Sequence, residues 1–138
     1  MQVRIASQED TAVFAHVAEG VFDNPVDAAL LREFLADPRH HMAIAVEDGL
    51  LVGMASAVHY VHPDKPAELW INEVGVADAH RGRGIGRQLL ETLKTHARSL
   101  GCREAWVLTQ PDNAAARGLY RTVGGTEAGV VYVTIPLT

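Results

Sequence analysis

Cysteine occurs once in 138 residues, at Cys102, so no disulfide can close within the chain and a four-cysteine metal site is excluded. A reducing, cytoplasmic setting is expected. No apolar run reaches the roughly 18 residues of a membrane span, and no charged, apolar, small-residue leader opens the chain. Neither secretion nor membrane insertion is therefore expected. Basic residues are outnumbered 12 to 17, and the formal net charge of −5 opposes a general nucleic-acid binder. Arg81, Arg83 and Arg87 are the local exception. An acidic chain with one basic pocket suits an anionic cofactor and a cationic partner. Repeats, low-complexity tracts and linkers are absent, and the length is that of one domain, 1–138.

The basic exception is also rich in glycine: Arg81-Gly82-Arg83-Gly84-Ile85-Gly86. An apolar run over 69–76 precedes it, and Ile85, Leu89, Leu90, Leu93, Ala97 and Leu100 recur after it at helical spacing. The order is strand, glycine-rich turn, helix. Such a turn leaves backbone N–H groups unpaired at the positive end of the helix dipole, ready for an anion. Glycines let the backbone reach the ligand. A phosphate or pyrophosphate site is expected. Two phosphate fingerprints fail on spacing. A Walker loop would end in Gly-Lys-Ser/Thr, whereas Gly86 is followed by Arg87 and Gln88. A dinucleotide loop has GxGxxG on a first βα unit, whereas these glycines fall at 82, 84 and 86 in mid-chain.

The other elements follow in order. Residues 2–6 alternate as an opening strand. Ser7 and Asp10 form a capping-box pattern before a helix ending near Gly20, and Asn24-Pro25 signals a second helix that stops at Asp37-Pro38. Strands are expected over 41–46 and 50–60, joined by an Asp48-Gly49 hairpin turn, then over 68–76, 103–109 and 130–135. Helices are expected over 84–100, closed by Gly101, and from Asn113 through Tyr120 to Val123. The sheet should be mixed, antiparallel early and parallel around the fourth strand.

Glu73 interrupts a strand that otherwise reads as buried, and a carboxylate there needs a partner or a solvated cleft. Its candidate role is general base. Asn113, Ala116 and Tyr120 share one helical face that could line a cofactor, with Tyr120 a candidate proton donor. Cys102 reads as a structural thiol. The seven histidines lack the accompanying carboxylate or cysteine spacing of a metal site, so no metal is expected.

Arg-x-x-Gly-x-Gly over Arg81, Gly84 and Gly86, with Asn-x-x-Ala-x-x-x-Tyr over Asn113, Ala116 and Tyr120, resembles the GNAT acyl-coenzyme A transferases. The resemblance spans almost the whole chain. It implies an α/β GNAT fold: a mixed central sheet splayed between strands four and five, flanked by four helices. It implies acetyl-coenzyme A as cofactor, with Val74, Gly75 and Val76 along the pantetheine arm, residues 81–87 around the pyrophosphate, and an N–H beside Val74 polarising the thioester carbonyl. Direct attack by an amine follows, with no acyl-enzyme. A homodimer is implied by the family alone. The stretch from Ala67 to Val76, with Ile135-Pro136 near the end, is similar to the small aminoglycoside 3-N-acetyltransferases. There Glu73 takes the place of a base that is usually aspartate, and Thr134 replaces an expected acid. Asp23, Asp27, Asp64, Glu68, Glu73 and Asp112 are the candidates for binding a small polycationic amine. Two alternatives stand beside it: a GNAT for another small-molecule or peptide amine, and a non-catalytic acyl-coenzyme A sensor, which would need neither Glu73 nor Tyr120.

Overall fold

A computed structural model describes residues 1–138. In chain order it comprises β1 (Gln2–Ile5), a 3-10 helix (Gln8–Ala15), α1 (Ala28–Ala36), β2 (His40–Glu47), β3 (Leu50–Tyr60), β4 (Glu68–Val76), a single 3-10 turn (Asp78–His80), α2 (Ile85–Ser99), β5 (Glu104–Trp106) and α3 (Ala114–Thr122). The sheet runs β1-β2-β3-β4-β5, antiparallel up to β4 and parallel between β4 and β5. This is the mixed sheet that the order of apolar runs implied. Four helical segments longer than one turn flank it.

The hairpin between β2 and β3 turns at Asp48 and Gly49, with φ of 50° and 78°. Positive φ at both central residues matches the twist of the strands, which is why Asp-Gly sits there. On one face α2 buries Ile85, Leu89, Leu90, Leu93 and Ala97, the stripe read from helical spacing. A Cβ on Gly53 of β3 would meet Ile85 and Leu89 of that helix. Gly53 pairs with Val76, so neighbouring Gly75 points to the opposite face, where the chain around Val21 lies.

Four expectations are corrected. The first helix is a 3-10 segment that stops at Ala15, although Ser7 and Asp10 do form its capping box. Beyond it Leu51 N–H donates to the His16 carbonyl, and Ala18 N–H to the Leu51 carbonyl, so residues 16–18 continue the sheet beside β3 and cannot continue a helix. The second helix starts at Ala28, not at Pro25: Asp27 is the cap, its carboxylate accepting Leu30 N–H at 2.9 Å. β5 covers three residues, not seven, because β4 and β5 separate after Trp70 and Trp106, whose rings stack 5.1 Å apart. Residues 130–135 form no strand. They are exposed, with Val131 at 87% and Tyr132 at 74%, and carry no regular secondary structure. A strand needs a hydrogen-bonded neighbour, and none of this chain's own strands pairs with them.

Three histidines are linked where β2, β3 and α2 meet. His41 Nε2 lies 2.7 Å from His59 Nδ1, and His41 Nδ1 lies 2.9 Å from His96 Nε2. The buried central ring donates through one nitrogen and accepts through the other. Burial, then the charges of His96 and His59, pushes its pKa down to about 4. Because the unfolded chain binds this proton more readily, stability is full above about pH 6.5 and is lost as pH falls towards 4. We expect a loss of about 2–3 kcal/mol over that window, read from urea midpoints against pH. His41→Leu should flatten the profile.

Candidate active site

The 3-10 turn Asp78–His80, with His80 N–H donating to the Ala77 carbonyl, and then a turn at residues 81–82 lead from β4 into α2. Gly82 and Gly84 both have φ of 76°, the left-handed region that a side chain resists, and a Cβ on either would meet nothing within 4 Å. Their freedom of backbone, not lack of space, is what the loop uses. Gln88 N–H donates to the Gly84 carbonyl, but the N–H groups of residues 82–87 have no acceptor in the protein. They therefore point free donors out of the N-terminus of a 15-residue helix, the arrangement expected of an anion cradle. Gly86 serves another purpose: a Cβ there would lie 3.1 Å from Leu119, so it lets α2 approach α3.

The cradle's arginines are not all free. Arg83 forms a forked pair with Glu47 at 2.8 and 3.1 Å, and His80 joins the same carboxylate at 3.0 Å. The Arg83 guanidinium holds the Glu47 carboxyl down to about 2. Glu47 thus fastens the loop to the β2–β3 turn, a link between residues 36 apart that sequence reading missed. Arg81 lies 3.2 Å from Asp78 on the surface. Arg87 has no ion-pair partner within the chain.

Beside the cradle, β4 pairs with β3 along its length but with β5 only from Glu68 to Trp70. Its other edge, from residue 71 to 76, is open. Val74, Gly75 and Val76 thus present unpaired backbone in line with the loop, as an extended amide chain ending in a diphosphate would require. The register slips between Ser56 and Ala57, leaving Asn72 as the extra residue on β4. That bulge lies next to Glu73, which is exposed, although the rest of the strand reads as buried.

Glu73 lines a cavity of about 270 Å³ together with Asp23, Asp27, Phe14, Phe22 and Met42. Three of the acids picked out in the sequence are brought together there. Glu68 is not; it faces His62 at 3.7 Å. Neither Asp64 nor Asp112 lines this cavity. A wider cavity of about 1,120 Å³ opens at the splay, lined by Trp70, Asn72, Leu108, Gln110 and Tyr132. Tyr120 is half-buried on the wall of a third, of about 240 Å³, with Ile71, Leu90 and Trp106. Burial pushes its phenol up, so the hydroxyl keeps its proton. Asn113 caps α3, its Oδ1 accepting Ala116 N–H at 3.0 Å, which commits its oxygen to the helix. Cys102 is buried, and burial pushes its thiol up, away from nucleophile chemistry.

Replacing both Gly82 and Gly84 by Ala should weaken coenzyme A binding by at least about tenfold, since each left-handed residue costs roughly 1 kcal/mol or more. Calorimetry on the folded variant checks this.

Residues 8–124 match the Acetyltransferase (GNAT) family. The chain is 36% identical over 110 residues to N-alpha-acetyltransferase RimI of Mycobacterium tuberculosis, covering 80% of this chain and 67% of that protein. Among solved structures, an aminoglycoside acetyltransferase from an uncultured soil metagenomic sample, in complex with sisomicin, superposes with a TM-score of 0.83 at 18% identity, covering 99% of this chain and 96% of the other. Aminoglycoside N-acetyltransferase AAC(6')-Iy in complex with CoA gives a TM-score of 0.81 at 22% identity, covering 99% and 95%.

Proposed function

The chain belongs to the GNAT acetyltransferase family, whose acyl donor is acetyl-coenzyme A, and on that premise we propose that it acetylates a primary amine of a small polycationic molecule with Glu73 as general base. The observation that carries this reading is the convergence of Glu73, Asp23 and Asp27 on one cavity beside the open edge of β4. The cofactor supplies an acetyl group already activated as a thioester. Residues 82–87 would hold its pyrophosphate, with Arg81 and Arg87 adjacent, and residues 74–76 its pantetheine arm. An N–H beside Val74 would face the thioester oxygen; such a donor is worth roughly 10²- to 10³-fold. Glu73 takes the proton of the incoming ammonium, directly or through one water, leaving a nucleophilic nitrogen. Tyr120, still protonated because it is half-buried, holds a proton for the departing sulfur.

The polycation we put first is an aminoglycoside, at its 3-amino group. The cluster of carboxylates suits several ammonium groups, and the stretch from Ala67 to Val76 resembles the small 3-N-acetyltransferases. A second reading, the α-amine of a polypeptide, is favoured by the identity to the RimI protein. Acetyl-coenzyme A turnover over a panel of aminoglycosides, amino acids, polyamines and N-terminal peptides separates them. Thiol release is expected with aminoglycosides and the product's regiochemistry is read by NMR. Release with peptides alone would favour the second reading. Tight binding of coenzyme A without release for any amine would favour a sensor.

A further inference from the structure

Glu47 is the last residue of β2, and its place is fixed from the strand side. Asp48, next in the hairpin turn, is the only non-glycine residue with positive φ, and the register of β2 on β3 shifts between Ala45 and Val46. A bulge and a tight turn together set the direction in which the strand end faces. From there the carboxylate holds both residues that flank Arg81 and Gly82: the Arg83 guanidinium through its fork, and His80 Nε2. His80 Nδ1 is buried without a partner, so Glu47 supplies the one hydrogen bond of that ring. The loop has little else to keep its shape. Residues 81–84 are all exposed, and a Cβ on Gly82 or Gly84 would touch nothing. Glycine loses more freedom on ordering than any other residue, and a ligand that must order the loop itself binds more weakly for it.

We propose that Glu47 is a positioning residue for the acyl donor: with Arg83 and His80 it straps residues 81–84 into the shape that receives the pyrophosphate before the donor arrives. This rests on residues 82–87 being the pyrophosphate site. A lone carboxylate beside such a site would repel a diphosphate, but the fork with Arg83 cancels its charge. Arg87, which has no ion-pair partner within the chain, is left to meet the ligand with the loop amides. Arg83 is then a strap and not a phosphate ligand. Were Arg83 to leave Glu47 for the incoming phosphate, Glu47 would be a competitor, and its removal would act with the opposite sign.

Glu47→Gln keeps the size of the side chain but breaks the fork, because the amide is uncharged and has one acceptor oxygen in place of two. Calorimetry should show coenzyme A bound about tenfold more weakly, the equivalent of ordering about one more residue's backbone on binding. Amides of residues 82–87 should exchange faster than in the parent when the chain is free, and alike when coenzyme A is saturating. With an accepted amine, KM for acetyl-coenzyme A should rise by the same factor, while kcat at saturating donor and KM for the amine hold. Arg83→Gln should match Glu47→Gln, and the double variant should be no weaker than either, because each loses the same strap. Urea unfolding establishes that each variant is folded, and Arg83→Gln decides if Glu47→Gln is not. Unchanged binding by the folded variants overturns the proposal. So does tighter binding by Glu47→Gln, which would make Arg83 a phosphate ligand that Glu47 withholds. Heat alike in parent and variant overturns this proposal alone, whereas no heat with the parent overturns the pyrophosphate site and the proposal with it.

Discussion

Glu73→Gln lowers the rate of amine acetylation by about 10²- to 10⁴-fold, the usual worth of a positioned proton acceptor, while coenzyme A binds as before. The amide fills the same volume and still fits the cavity with Asp23 and Asp27, but it cannot take the proton of an ammonium. The loop proposed to hold the pyrophosphate lies on a different element, at the start of α2, so donor affinity has no reason to change. The loss should fall on kcat and shrink as pH rises, because the free amine then becomes available without help. Thiol release across pH gives the rate, and calorimetry the affinity. Equal turnover of variant and parent at every pH would remove Glu73 from the mechanism.

Gly75→Ala should be the most damaging small substitution. A Cβ at this position would lie 2.0 Å from the carbonyl oxygen of Val21 and 3.0 Å from its carbon. Both are backbone atoms, so no rotamer change relieves the clash. Val21 is 3% exposed and anchors the segment that leads to Asp23 and Asp27. One of two well-packed backbones must move by about 1 Å, at a cost of about 3 kcal/mol and a fall in melting temperature of roughly 10 °C. Misplacement on that scale in an active site can cost about 10²-fold in rate. The loss should appear in kcat/KM for both the amine and acetyl-coenzyme A, since the Val21 segment leads to the cavity proposed for the amine and residues 74–76 are proposed along the pantetheine arm. Thermal unfolding and steady-state kinetics on the same preparation test both halves. Gly53→Ala is the control on the other face, where the nearest atoms are ends of the Ile85 and Leu89 side chains.

Legibility in the sequence followed how local each determinant is. The stripe of α2, the Asp48-Gly49 turn and the cap at Ser7 depend on residues within a turn or two of one another, and all three could be read. The glycine loop could be read as well, but not the division of labour within it. Gly82 and Gly84 serve backbone conformation, whereas Gly86 makes room for Leu119, a residue 33 positions away. Elements whose form is set by distant partners are not legible in this way. Residues 16–18 prefer β3 to a longer helix, and residues 130–135 have strand chemistry but no strand paired with them. Glu47 escaped notice because its partners, His80 and Arg83, join it only once the sheet has formed. Glu73 stands out in the sequence among apolar residues. It is exposed because β4 bulges at Asn72 and has already parted from β5, which no pattern of polar and apolar residues records. Asp23 and Asp27, candidates by loop position, share a cavity with Glu73, whereas Glu68 and Asp112 lie outside it.

The decisive measurement is titration of coenzyme A into the folded chain by calorimetry. A single site with a dissociation constant of about 1–100 μM, weakened at least about tenfold when Gly82 and Gly84 become Ala, is the expected result. Absence of heat from a well-folded sample, or binding indifferent to those two glycines, would contradict the assignment of residues 82–87 as the pyrophosphate cradle and the acetyl-transfer chemistry built on it.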